Sequence, residues 1–402
     1  MKVLKGLAST LLSFLLFLCL TVLGIAITLN ATALNSGFVT GQINKLDVVA
    51  LFNEEALPQL QKEDTLASHP EVIASIQSAV THNAPALKTA VNRAVSDIYG
   101  YLVIGKSLDL RQTLKNSVLD PQLAISILND LDLSTYIHDL LIENVPLKSA
   151  DIGGIKVDLT PYTDSMVAVI QPWFKEQVTL LIPSFYDFVL GTSPTIGLNI
   201  SVGPVLNDIG SSLKSAVLAS PPSSLAVLSQ AQLSPAFDVF WAHTMPEVPD
   251  SINLSTSELG FKQPVEIGQA LDNAQSGLSE ARQVIVYYQE AFWGLVGLTL
   301  VLVLFIILIN HAVKTNCRIL GGVFASYGIT EAAGILVSRG LIHSKLLSIS
   351  NVPQIIQPWL LQFSDSLTNP LLIFSISCAA LGVILFVLSF LYRHKQKQFA
   401  TV

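Results

Sequence analysis

The stretch EIGQALDNAQSGLSEARQVIVYYQEAFWGLVGLTLVLVLFIILINHAV, residues 266–313, decides how the rest of the chain is read. In its first half the apolar residues Ile267, Leu271, Ala274, Leu278, Ala281, Ile285 and Tyr288 recur in alternating steps of four and three. That is the spacing of a helix that lays one stripe on a partner. From Ala291 to Val313 no residue carries a formal charge, and a helix of that length crosses ~30 Å of hydrocarbon. No proline separates the two halves, although Gly268 and Gly277 weaken the first. The stretch therefore predicts one long helix, a stalk over 266–290 that continues as a membrane span over 291–313. Tyr287, Tyr288 and Trp293 stand at the junction, where amphipathic rings favour the membrane–water interface.

The whole chain fits that reading. Of its 402 residues 51% are hydrophobic and only 13% charged, where about a quarter charged is usual for a soluble domain. Its three cysteines, Cys19, Cys317 and Cys378, lie in or beside apolar segments. A domain between those segments is then held by its core, without disulfides or a Cys-rich zinc site.

Working outward, Leu7 to Leu29 is the first predicted span, behind a short N-terminus of residues 1–6 that holds Lys2 and Lys5. A retained anchor is the preferred reading, with cleavage near Ala31-Thr32-Ala33 as the competing one. The second span is followed by Lys314 and Arg318 in a loop over 314–318. The last, Pro370 to Tyr392, is followed by Arg393, His394, Lys395 and Lys397 in the tail 393–402. Positive charge marks the cytoplasmic side, so both ends are expected there, and a weaker segment over 319–338 must cross between them. This third segment has small residues four apart: Gly321 and Ala325, Gly322 and Ser326, Gly328 and Ala332, Gly334 and Ser338. Such pairs let helices approach closely in lipid. It also carries Glu331, and an intramembrane carboxylate is a functional candidate by default, against the plainer expectation of a position near the outer interface or a pairing with Tyr327 or a backbone group. The loop over 339–369 is expected to hold a short interfacial helix with Trp359, Leu360, Leu361 and Phe363, and Asn369-Pro370 to open the last span.

Residues 30–290 form the predicted extracytoplasmic domain. They hold 13 Lys/Arg against 27 Asp/Glu, a net charge of −14, which opposes nucleic acid and anionic lipid surfaces. Asn30, Asn199 and Asn253 open glycosylation-type triplets. Helices are expected over much of the region, from Phe38 to Leu57, Glu71 to Val80, Ala86 to Val103, onward from Asp120-Pro121, and over Tyr162 to Leu190. Breaks are expected at Pro58, Pro85, Pro172 and Pro183. Between them run short apolar–Asp/Asn–apolar triplets centred on Asp109, Asp158, Asn199 and Asn253, and their alternation predicts strands of one small sheet. The four polar residues would then line one sheet face, either as a cation or polar-ligand row or simply as its solvated side. Gly105 and Gly191, each after similar text (Tyr99 to Ser107, Tyr186 to Ser193), fit helix C-terminal stops.

Little points to catalysis. Gly100, Gly105, Lys106 and Ser107 have phosphate-loop spacing, but a helix precedes them, and Tyr101 to Ile104 are bulky where backbone would wrap a phosphate. The seven histidines include no pair at the spacing of a helix-borne metal site. The sequence thus describes an integral membrane protein, mainly α, with four transmembrane helices and a large α+β domain between the first two. It is expected at the plasma membrane with no cofactor, metal or enzyme activity. Expected partners are the lipid bilayer and an unidentified protein or a second copy. The leading functional expectation is a non-enzymatic cell-envelope scaffold or sensor; the alternative is a permease-like or mechanotransmitting transporter subunit. In topology alone the layout resembles FtsX- and MacB-type transporter subunits, though only Met1 to Gly6 precede the first span where those proteins have a helix.

Overall fold

A computed structural model describes residues 2–62, 64–144, 150–244, 249–256, 265–310, 312–347 and 353–398. It is 82% helical. In chain order the helices are α1 (Lys2–Ala31), α2 (Ser36–Lys45), α3 (Val48–Leu51), α4 (Leu57–Leu60), α5 (Asp64–Ala67), α6 (Pro70–Tyr99), α7 (Leu110–Lys115), α8 (Pro121–Asp130) and α9 (Ser134–Asn144). Strands β1 (Ala150–Ile152) and β2 (Ile155–Val157) precede α10 (Thr163–Val189). Strand β3 (Gly197–Ser201), α11 (Gly203–Ala219), α12 (Gln230–Thr244) and β4 (Ser251–Ser255) lead to α13 (Val265–Asn310), α14 (Val313–Leu347) and α15 (Gln357–Gln398). Four helical segments are long and apolar enough to cross a membrane: Lys5–Ala31, Val265–Asn310, Val313–Leu346 and Gln357–Leu391.

The stretch that opened the reading is one helix: α13 runs through both its polar and its uncharged halves. Elsewhere prolines do not end helices as expected. Pro85 lies inside α6 and Pro172 and Pro183 inside α10, while Pro370, expected to open the last span, lies inside α15. The amphipathic stretch around Trp359 is accordingly the start of α15 rather than a separate helix. Near Pro58 the backbone adapts visibly. A π turn over Phe52–Ala56 lets the Leu57 N–H reach the Phe52 carbonyl, five residues back, just before a residue with no N–H to give.

The chain divides into two compact units, residues 1–47, 95–108 and 276–402, and residues 48–94 and 109–275. In the first unit α13 runs antiparallel to α1. The Tyr288 hydroxyl donates to the Ala26 carbonyl at 2.6 Å, and the Asn310 amide donates to Ser9 Oγ at 3.4 Å. Helices α14 and α15 cross where side chains are smallest. A Cβ at Gly328 would collide with the Ser375 carbonyl oxygen and the Ala379 nitrogen, and one at Gly382 with the Ala325 nitrogen. Of the small residues expected to serve packing, Gly321, Ala325 and Gly328 meet α15, while Gly322 and Gly334 face open space. Leu16, Leu20, Leu302, Ile306, Leu320, Tyr327 and Cys378 fill the centre.

In the second unit the core is built from larger groups. Val205, Ile209, Leu213 and Val217 recur along one face of α11 and pack with Phe237, Leu233, Met166, Ile152 and Leu159. The sheet is small and split into two antiparallel ladders, β1 with β2 and β3 with β4. Gly153 and Gly154, with φ of +64° and +83°, turn the first as a two-residue hairpin, a conformation that favours glycine at both positions. In the second, Asn199 stands opposite Asn253.

Candidate functional site

The four polar residues expected to share a sheet face separate. Asp109 lies in no strand. It caps α7, its carboxylate accepting from the Gln112 N–H at 3.1 Å. Asp158 follows β2 and accepts from the Thr160 N–H at 2.9 Å. Only Asn199 and Asn253 face each other across a ladder. A Leu-Asp-Leu triplet fits a helix cap as well as a strand, because Asp is favoured before a first turn. The phosphate-loop spacing is filled by a π turn over Gly100–Ile104, closed by Gly105 at φ +87°. The Gly105 carbonyl accepts from Arg282, whose guanidinium also lies 4.9 Å over the Tyr101 ring. Gly191 likewise has a positive φ, +71°, just past the end of α10.

Glu331 lies on α14 one turn beyond Tyr327. The Tyr327 ring is fully buried, set edge-on to Phe17 and Phe374 at 5.9 Å each. Its hydroxyl, pressed against the bare backbone of Gly24, has no hydrogen-bond partner among the described residues. No hydrogen bond or ion pair to Glu331 is formed by Tyr327 or any other described residue. Two turns further on is a polar cluster that the sequence did not reveal. Arg339 donates to Thr368 Oγ1 at 2.7 Å, to the Asp365 carbonyl at 2.9 Å and to Asn369 Oδ1 at 2.7 Å. Asp365 Oδ1 also meets His343 Nε2 at 3.0 Å. These partners lie 22 to 30 residues apart in the chain, so only the antiparallel register of α14 and α15 brings them together.

The second unit holds an apolar opening. Val72 from α6, Tyr136, Ile137 and Leu140 from α9, and Ile170 and Phe174 from α10 line a chamber of 560 Å³, with Leu66, Leu133 and Leu141 completing it. That volume lies within the ~300–1,000 Å³ typical of ligand pockets. Leu140 and Phe174 stand exposed at its mouth. His69 packs edge-on against Tyr136 at 4.6 Å, with Nδ1 3.1 Å from Glu71 Oε1. Ahead of α9, Asp132 accepts from the Ser134 hydroxyl at 2.6 Å and its N–H at 3.0 Å. These bonds, the hydroxyl's first, hold its carboxyl below the usual carboxylate range. Helix α9, which forms one wall, therefore starts from a fixed turn.

A clamp closes the same unit elsewhere. Arg111 donates to the Leu190 carbonyl at 3.0 Å and the Gly268 carbonyl at 3.3 Å, and pairs with Asp272 at 2.8 Å. The Arg111 hydrogen bond lowers the pKa of Asp272. Among the described residues no three His, Cys, Asp or Glu side chains are grouped to hold a metal. Comparison with family models, curated proteins and solved structures finds no match to this chain.

Proposed function

We propose that this protein is a non-enzymatic scaffold or sensor of the cell envelope, fixed in the plasma membrane by its four apolar helices. Its acidic domain would lie outside the cell and both termini inside, as the Lys/Arg placement favours. The observation that carries this reading is the open apolar chamber at Leu140 and Phe174. An apolar opening of this size on a charged domain is characteristic of an interaction site. A photo-crosslinking residue at position 140 or 174, activated in native membranes, is expected to capture one recurrent protein that a residue at exposed Val239 does not capture. Equal capture from all three positions would overturn the reading. Protease added to sealed cells is expected to cleave within 30–290 and spare the tail after Tyr392; the reverse pattern would invert the orientation.

A permease-like role is the competing proposal. It is supported by one observation, the Glu331 carboxylate one turn from a buried Tyr327 hydroxyl that has no hydrogen-bond partner among the described residues. Under that reading Glu331→Gln and Glu331→Leu both abolish a transport phenotype. Under the scaffold reading both are tolerated.

A further inference from the structure

A second cavity, in the first unit, has a different character. It measures 600 Å³ and lies between α1, α2 and α15. Its α15 wall is one helix face, residues 366, 369, 370, 373, 374 and 377. Along that face chemistry changes with position. Ser366 and Asn369 begin it, Ile373 and Phe374 continue it, and Ile27 of α1 adds to the apolar end. Asp365 is the last charged residue before Arg393, so the cavity straddles the point where charge stops and the hydrocarbon-length run begins.

The polar end is built around Gln42. This side chain lines the cavity although the residue is only 6% exposed. Its backbone carbonyl accepts from the Trp359 indole at 2.9 Å, and Trp359 stacks on Phe363, so α2 is fastened to α15. Its amide oxygen meets Lys45 Nζ at 3.5 Å, while its amide nitrogen donates to no described residue. That nitrogen is not sealed from solvent, so a ligand oxygen in the cavity can reach it and accept from it. Pro370 adds to the polarity, because it has no N–H to offer the Ser366 carbonyl one turn back. Lys45, one turn along α2 from Gln42, supplies positive charge beside that end.

We propose that this cavity is a binding site for a single phospholipid, its phosphodiester taken by the Gln42 amide and Lys45 and one acyl chain laid along Ile27, Ile373 and Phe374. The gradient from amide to hydrocarbon matches the order of groups in such a lipid, and Ile373, 65% exposed, leaves the apolar end open from the side.

The test uses the full-length protein in phosphatidylcholine nanodiscs carrying a minor fraction of acyl-diazirine phosphatidylglycerol. Failure of the chain to enter nanodiscs would count against the membrane reading and is scored separately. After photolysis, adducts are expected to concentrate on peptides containing Ile27 and Ile373–Ser377, in excess over the lipid-facing Ile384 region. Gln42→Ala is expected to reduce them roughly ten-fold, as for a lost hydrogen bond to a charged group. Ile373→Trp, at an exposed position that leaves the packing intact, is expected to reduce them comparably by filling the chain end, with unchanged adducts at Ile384 in both variants. Adducts spread evenly over all lipid-facing peptides and insensitive to both variants would overturn the site. Equal competition by diacylglycerol and by phosphatidylglycerol would overturn the phosphate assignment.

Discussion

The two units solve the same packing problem with opposite residues. In the first, large apolar side chains such as Phe14, Leu300, Phe305, Ile373 and Phe390 stand on the outside, and the tightest contact is backbone against backbone at Gly321, Gly328 and Gly382. In the second, Phe237, Leu213 and Leu225 are buried and the carboxylates are outside. The contrast is the one expected if the four apolar helices of the first unit lie in lipid and the second unit in water. Water drives bulky apolar groups inward. Lipid supplies no such drive between helices, so close approach and dispersion contacts hold them instead.

The largest test of that contrast is in the second unit. Phe237→Ala is expected to cost about 4 kcal/mol in denaturant unfolding, as for a fully buried ring. In the first unit Gly328→Leu is expected to cost about 3 kcal/mol by overpacking the α14–α15 crossing. Gly322→Leu, six residues earlier with open space beyond it, is expected to change stability by less than about 0.5 kcal/mol. Equal effects at Gly322 and Gly328 would show that helix propensity, not the crossing, sets the cost. Gly210→Ala bridges the two cases, a close approach inside the water-type core. Its Cβ would collide with the indole edge of Trp241, for a cost of about 2 kcal/mol.

Smaller effects come from polar ties. Arg111→Ala removes the bonds to the Leu190 and Gly268 carbonyls and is expected to lower stability by about 1 kcal/mol, given a partly exposed ion pair. The smallest is a pH effect at Asp132. Its carboxyl is held below its ordinary value, so the stability it adds is complete above the usual carboxylate range and is lost as pH falls through the depressed value. Unfolding curves of wild type and Asp132→Asn are expected to converge at low pH and to separate at neutral pH.

Much of this was legible in the sequence, and the failures have physical causes. The α13 pattern, the Asp120-Pro121 start of α8 and the stops at Gly105 and Gly191 are local signals, settled by a few adjacent residues. Proline breaks are overridden because a helix that is packed along its length withstands one lost bond. The Gly153-Gly154 hairpin is also a local signal, two glycines between Ile152 and Ile155. Neither the chamber at Leu140 nor the Arg339 cluster could be read, since each joins helices whose register no local pattern encodes.

The placement of the thiols has a practical consequence. Cys19, Cys317 and Cys378 all reside in α1, α14 and α15, so the second unit is a blank slate for sulfhydryl reagents. One engineered cysteine there, at exposed Val227 or Val239 for instance, would be that unit's single attachment point for a spin label or fluorophore once the half-buried Cys19 and Cys317 of the other unit are replaced.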